Sequence, residues 1–148
     1  MVDRLADDRI RHLELLQAAI SRMASASATM KNLCLIVVAG ALAFLATSKE
    51  PAVALFAAIL ATAFWFLDAR YLQQEKWFRD MYDAERVEHA NEPASFRMTP
   101  DASVRAATRL SYGIKSWSTW GLYGPLVFFL LVLWAFLEWG HSSWIGGA

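Results

Sequence analysis

The chain has 148 residues, of which 57% are hydrophobic and 19% charged, and its 14 basic residues balance its 14 acidic ones. The balanced charge gives no electrostatic support to nucleic-acid binding, and the single cysteine excludes an internal disulfide framework and a cysteine-based zinc site. Soluble domains are about 45–50% apolar and about 25% charged, so the composition favours a membrane protein over a soluble enzyme.

The N-terminal segment, residues 1–32, is predicted to be a cytoplasmic amphipathic helix. It contains no proline or glycine, and its apolar residues recur every three to five positions. Small residues four positions apart let membrane helices approach closely, although an alanine-rich segment can also reflect helix propensity alone. The candidate packing residues on this helix are Leu13, Leu16, Ile20, Ala24 and Ala28.

Three uncharged stretches follow along the chain, over 32–48, 51–67 and 116–137. A membrane-spanning helix needs about 17–25 mostly apolar residues. The alternative, a buried helix in a soluble core, is disfavoured because the third stretch has no polar face. We therefore predict an all-α integral membrane protein with three transmembrane helices and long cytoplasmic helical extensions. The spans are a hairpin of 33–47 and 51–67, and a C-terminal span of 118–138.

The second span is predicted to continue as a cytoplasmic helix to about residue 88, because opposite charges recur four positions apart and no proline or glycine intervenes. Its apolar residues are expected to pack on the N-terminal helix rather than on lipid headgroups, and the candidates are Leu72, Phe78 and Tyr82. Residues 89–115 are predicted to form a cytoplasmic connection with a short helix that opens at Thr99 and Pro100. Residues 139–148 are predicted to form an outer tail.

Basic residues set the predicted orientation. Five precede the first span and eight lie between the second and third, which makes 13 on one side, against one in the hairpin connection. Such residues favour the cytoplasmic side, so the N-terminus is expected inside and the C-terminus in the periplasm. Tryptophans near both ends of the third span suggest an interfacial aromatic belt, formed by Trp117, Trp120, Trp139 and Trp144.

No catalytic, cofactor or metal site is predicted, because the three histidines are scattered and no phosphate-binding glycine loop is present. The charges near the inner ends of the spans are the candidates for interhelical ion pairs, namely Arg22, Lys31, Asp68, Arg70 and Glu75. Asp68 and Glu75 are expected to pair with Arg22 or Lys31. The alternative for Asp68 is proton or ion handling, the default hypothesis for an ionisable group at membrane depth.

Two long segments give the chain a resemblance to a known family. They are RHLELLQAAISRMAS at 11–25 and FWFLDARYLQQEKWFRDMYD at 64–83, followed by Trp120 and LYGP at 122–125. Together they resemble the RipA family of bacterial octameric membrane proteins, and the likeness covers nearly the whole chain. The resemblance implies a homo-octamer in the bacterial inner membrane, and it carries over no catalytic or ligand residues.

The sequence thus favours a non-enzymatic homo-oligomer in the inner membrane, either a scaffold or a pore. Its expected partners are membrane lipids and further copies of the chain. The alternative is a membrane effector or regulator whose cytoplasmic helical layer senses a ligand or a partner.

Overall fold

A computed structural model of the chain describes residues 2–87, 99, 102 and 110–145, and the side chains at 2–6, 87, 110, 111 and 141–145 lie outside that description. Every regular element in these ranges is a helix, so the described fold is all-α, as predicted. The helices are α1 (Val2–Ser48), α2 (Pro51–Val87), α3 (Leu110–Lys115) and α4 (Trp117–Ile145).

Helix α1 joins the predicted N-terminal helix and the first predicted span in one uninterrupted element of 47 residues. At about 1.5 Å per residue it is about 70 Å long. It ends at Lys49, which adopts a left-handed conformation with φ 55° and whose backbone N–H donates to Leu45 O at 2.9 Å. Pro51 then opens α2, a position for which its fixed φ is suited. The short turn makes α1 and α2 antiparallel neighbours.

The core lies where α1, α2 and α4 meet. α1 contributes Cys34 and Val38, and α4 contributes Tyr123 and Leu130, all nearly inaccessible. Between them, the buried side chains that α2 contributes are the alanines Ala57, Ala58 and Ala61. Alanines let helix backbones approach closely, so α2 can pack against both neighbours at once.

Helix α3 is a short element that packs on α2 and leads directly into α4. A Cβ added at Gly113 would lie 2.1 Å from Ala69 O, which shows how closely the two backbones approach. Ser116 O accepts hydrogen bonds from Thr119 N at 3.0 Å and Trp120 N at 2.8 Å at the start of α4. Helix α4 then continues through Pro125, which lies inside it.

The described helices include three that are long and apolar enough to cross a membrane, within Asp7–Ser48, Pro51–Arg86 and Trp117–Gly140. Only 17%, 33% and 11% of their most apolar windows are buried. Large side chains such as Phe128, 70% exposed, and Phe136, 75% exposed, therefore face outward from the chain.

Two boundaries differ from the sequence-based expectations. Helix α4 continues to Ile145, into the segment predicted as an outer tail, because no proline interrupts 139–145. The short helix expected to open at Thr99 and Pro100 falls mostly outside the described residues. Thr99 itself is described, and it is an exposed bend. The short helix that is described, α3, lies at the other end of the predicted connection.

Candidate functional site

A carboxylate is fully buried at the junction of the helices. Asp68 is 0% exposed, and its Oδ2 lies 2.8 Å from Lys31 Nζ. Ser27 Oγ donates to Asp68 Oδ1 at 2.5 Å, and Lys31 Nζ donates to Ser27 Oγ at 2.7 Å. Ser27 is thus hydrogen-bonded to both residues, and Lys31 forms an ion pair with Asp68. We call these three side chains the junction cluster.

Helix geometry explains why these residues meet. Ser27 and Lys31 are four positions apart on α1, so their side chains lie on the same face, one turn above the other. The antiparallel α2 brings Asp68 against that face. A buried charge is stable in a protein only when it is paired and hydrogen-bonded, and the junction cluster meets both conditions.

Helices α3 and α4 close the junction cluster from the other side. Tyr123, also 0% exposed, stacks on Trp65 with ring centroids 6.3 Å apart and planes 9° apart. Its hydroxyl lies within electrostatic reach of Asp68 but makes no well-aligned hydrogen bond to a described residue. Gly113 packs on Ala69, the residue after Asp68. Asp68 is therefore shielded from solvent by three helices.

Lys31 forms the accessible edge of the junction cluster, since its side chain is 20% exposed. It borders a groove of about 390 Å³ between α1, α2 and the start of α4. We call this the junction groove, and its lining residues are Ala24, Ser27, Ala28, Lys31, Leu72, Glu75 and Ser118. The groove combines one cation, one anion and two hydroxyl groups with apolar walls.

The prediction that Glu75 pairs with Arg22 or Lys31 is wrong. Its Oε1 accepts from Arg79 Nε at 2.8 Å and lies 2.5 Å from Arg79 Nη2. The two residues are four positions apart on one helix, so the pair forms without any interhelical contact. Arg22 and Arg70 are exposed and lie outside the junction cluster.

The predicted packing residues fall into three groups by burial. Leu16 is fully buried in the α1–α2 contact, and Ile20 and Tyr82 line one shallow groove. The half-buried members are Leu13, Ile20, Leu72, Phe78 and Tyr82. Ala24 and Ala28 are exposed instead and line the junction groove.

The aromatic residues of the predicted belt lie on the surface. Trp117, Trp120 and Trp139 are 85%, 54% and 80% exposed, and the side chain of Trp144 lies outside the described residues. Near the free ends of the hairpin, Arg9 Nη2 donates to Glu85 O at 2.8 Å. This contact ties the two long extensions together far from the junction cluster.

Sequence reasoning missed Ser27, Gly113, Thr119 and Tyr123. Thr119 Oγ1 donates to Gly113 O at 2.5 Å, which fixes α3 against α4. Thr119, Tyr123 and Leu130 do follow the spacing of one helix face. The sequence does not reveal this face, because the exposed residues between these positions are as apolar as the buried ones, so α4 shows no amphipathic pattern.

Within 7–86 and 112–140, no three histidine, cysteine, aspartate or glutamate side chains are grouped to hold a metal ion. Comparison of the chain with protein-family models, characterised proteins and solved structures finds no match.

Proposed function

We propose that the chain is a multi-pass protein of the bacterial inner membrane that assembles into a non-enzymatic homo-oligomer. The outward-facing apolar surface carries this proposal. Only 11% of the apolar window in α4 is buried, and Phe136 and Trp139 are at least three-quarters exposed. Water would solvate such a surface poorly, whereas lipid tails and neighbouring copies would cover it.

The orientation rests on the basic residues. The α1 extension, the α2 extension and the connection that includes α3 carry 13 of the 14 lysines and arginines, and the turn at Lys49 carries the other one. The two extensions and this connection therefore lie in the cytoplasm. The turn at Lys49 and the end of α4 then lie in the periplasm. The exposed Trp117 and Trp120 fit the inner interface, and Trp139 fits the outer one.

The resemblance to the RipA family supports the oligomer in this proposal, and we expect eight copies on that ground. The exposed Ala24 and Ala28 support close contact between subunits, since small residues at this spacing let helices of different chains approach. We favour a scaffold over a pore because the predicted spans over 33–47, 51–67 and 118–138 contain one charged residue, Glu138, which lies at the very end of the third span.

The assembly is tested by membrane fractionation and by native mass spectrometry of the detergent-extracted protein. The wild-type chain should resist alkaline extraction and give a mass of eight copies. Ala24→Leu should shift the distribution to smaller species, because overpacking at a close helix contact costs about 1–3 kcal/mol. Ala52→Leu, at another exposed alanine, serves as the matched control. A monomer in mild detergent refutes the assembly.

The orientation is tested separately by cysteine labelling in intact cells. An impermeant maleimide should label Ser48→Cys and Ser143→Cys but not Ser95→Cys, each in a Cys34→Ser background. Labelling at position 95 with protection at position 143 inverts the proposed topology.

A second function, a membrane regulator, is supported by the junction groove. It places polar groups at the base of the apolar helices, where a ligand could alter the contact between α1 and α2. Ligand-dependent protection of this region in hydrogen exchange would favour the regulator over a passive scaffold.

A further inference from the structure

We propose that the junction groove binds the headgroup of a phospholipid in which a phosphate is joined to a primary amine, as in phosphatidylethanolamine. The inference rests on the proposed membrane insertion and goes beyond it by naming a ligand. It is carried by one donor and one acceptor that line the same groove and are incompletely used by the protein.

Lys31 provides the donor. An ammonium group has three N–H bonds, and the contacts with Asp68 Oδ2 and Ser27 Oγ use two of them. The side chain is 20% exposed and lines the junction groove. The remaining N–H can therefore donate to a phosphate oxygen in the groove, a strong charge-assisted hydrogen bond.

Glu75 provides the acceptor. Both hydrogen-bonding contacts from Arg79 go to Oε1, so Oε2 is not engaged by any described residue. Glu75 is only 8% exposed and lines the same groove as Lys31. Its second carboxylate oxygen can accept a hydrogen bond from a ligand in the groove, and a primary ammonium group supplies three N–H donors.

The charges around the groove select a zwitterion. Lys31 pairs with Asp68 and Glu75 pairs with Arg79, so these two ion pairs together carry no net charge. A headgroup with net negative charge would be attracted by the Lys31 ammonium but repelled by the Glu75 carboxylate. A zwitterion can pair with both groups. A trimethylammonium group, as in phosphatidylcholine, has no N–H to donate to Glu75 Oε2, so the primary amine is favoured.

The size and position of the groove suit a lipid rather than a small soluble ion. A volume of about 390 Å³ is the share of about a dozen liquid waters. Ala24, Ala28 and Leu72 give the groove apolar walls beside its charged groups. The groove lies at the base of the apolar stretches of α1 and α2, at the level where the proposed topology places headgroups.

Native mass spectrometry of the extracted protein, titrated with single lipids, tests the proposal. Phosphatidylethanolamine should bind about tenfold or more tightly than phosphatidylcholine or phosphatidylglycerol, which is the scale of one hydrogen bond to a charged group. Glu75→Gln should abolish the preference over phosphatidylcholine. Glu14→Gln, at an exposed glutamate of α1, is the matched control and should retain the preference.

Ser118→Leu provides a second variant that fills the groove without removing a charge, and it should weaken phosphatidylethanolamine binding by a similar factor. Equal affinity for the three lipids, or an unchanged preference in Glu75→Gln, overturns the proposal. Tight binding of water-soluble glycerophosphoethanolamine without a preference among lipids also overturns it, because the ligand would then be soluble. The same spectra report the oligomer mass, so failure of lipid selectivity is distinguished from failure of the assembly.

Discussion

Substituting Gly113 by alanine tests the close contact that closes the junction cluster. A Cβ at this position would lie 2.1 Å from Ala69 O, 2.8 Å from Ala69 C and 2.9 Å from Ala69 Cα. These neighbours are backbone atoms of a long helix, so no side-chain rotation relieves the overlap. To move from 2.1 Å to an ordinary contact of 3.4 Å, the Cβ and that oxygen must separate by about 1.3 Å.

A displacement of this size loosens the packing of α3 on α2 next to Asp68. Overpacking in a tight contact costs about 1–3 kcal/mol, and we expect the upper part of this range because both partners are backbone. Alanine recovers up to about 1 kcal/mol of helix propensity relative to glycine. The net loss in free energy of unfolding should therefore be about 1–2 kcal/mol.

The matched control is Gly40→Ala on α1, where an added Cβ meets nothing within 4 Å. It should gain helix propensity without a steric cost and so stabilise the protein by about 0.5–1 kcal/mol. Unfolding of both variants in mixed micelles with a rising fraction of sodium dodecyl sulfate, followed by circular dichroism, measures the difference. Equal stability of the two variants would refute the close approach of α3 to α2.

Two further predictions concern ion pairs. A double-mutant cycle on Lys31→Met and Asp68→Asn should give a coupling energy above about 1 kcal/mol. A cycle on Arg22→Met and Asp68→Asn should be additive within about 0.5 kcal/mol. Coupling to Arg22 and not to Lys31 would show that Lys31 is not the partner of Asp68. The hydrogen bond from Lys76 to Asp80 raises the pKa of Lys76 above its ordinary value of 10.5. Because the pKa is raised only in the folded state, the ion pair should contribute its full stabilisation of the fold below pH 10.5 and lose it at higher pH. Thermal unfolding should show this loss in the wild type, and this contribution should be missing in Lys76→Gln.

The helical hairpin could be derived from the sequence because local rules determine it. The absence of proline and glycine before Gly40 predicts the continuous α1, and Pro51 marks the start of α2. The left-handed Lys49 was not predicted, since that conformation favours glycine. Here it ends α1, and the Lys49 N–H donates to Leu45 O at 2.9 Å.

The site was less predictable because contacts between helices depend on rotation about their axes. The charge pattern left Arg22 and Lys31 as equal partners for Asp68, and only the packed geometry distinguishes them. Ser27 belongs to a run of alternating alanine and serine in which no residue stands out in the sequence. Glu75 was misassigned because an intrahelical pair and an interhelical pair follow the same charge rules.

The alanine face of α2 constrains how this protein can diverge. The buried side chains of its apolar stretch include Ala54, Ala57, Ala58 and Ala61, each at most 3% exposed. From alanine, almost every replacement adds volume, so these sites tolerate glycine or serine but not a larger residue. Compensation by shrinking a neighbour is limited as well, because α1 and α4 would each have to lose volume at the same level. Homologous chains should therefore vary freely on their outward faces while this one face of α2 stays small.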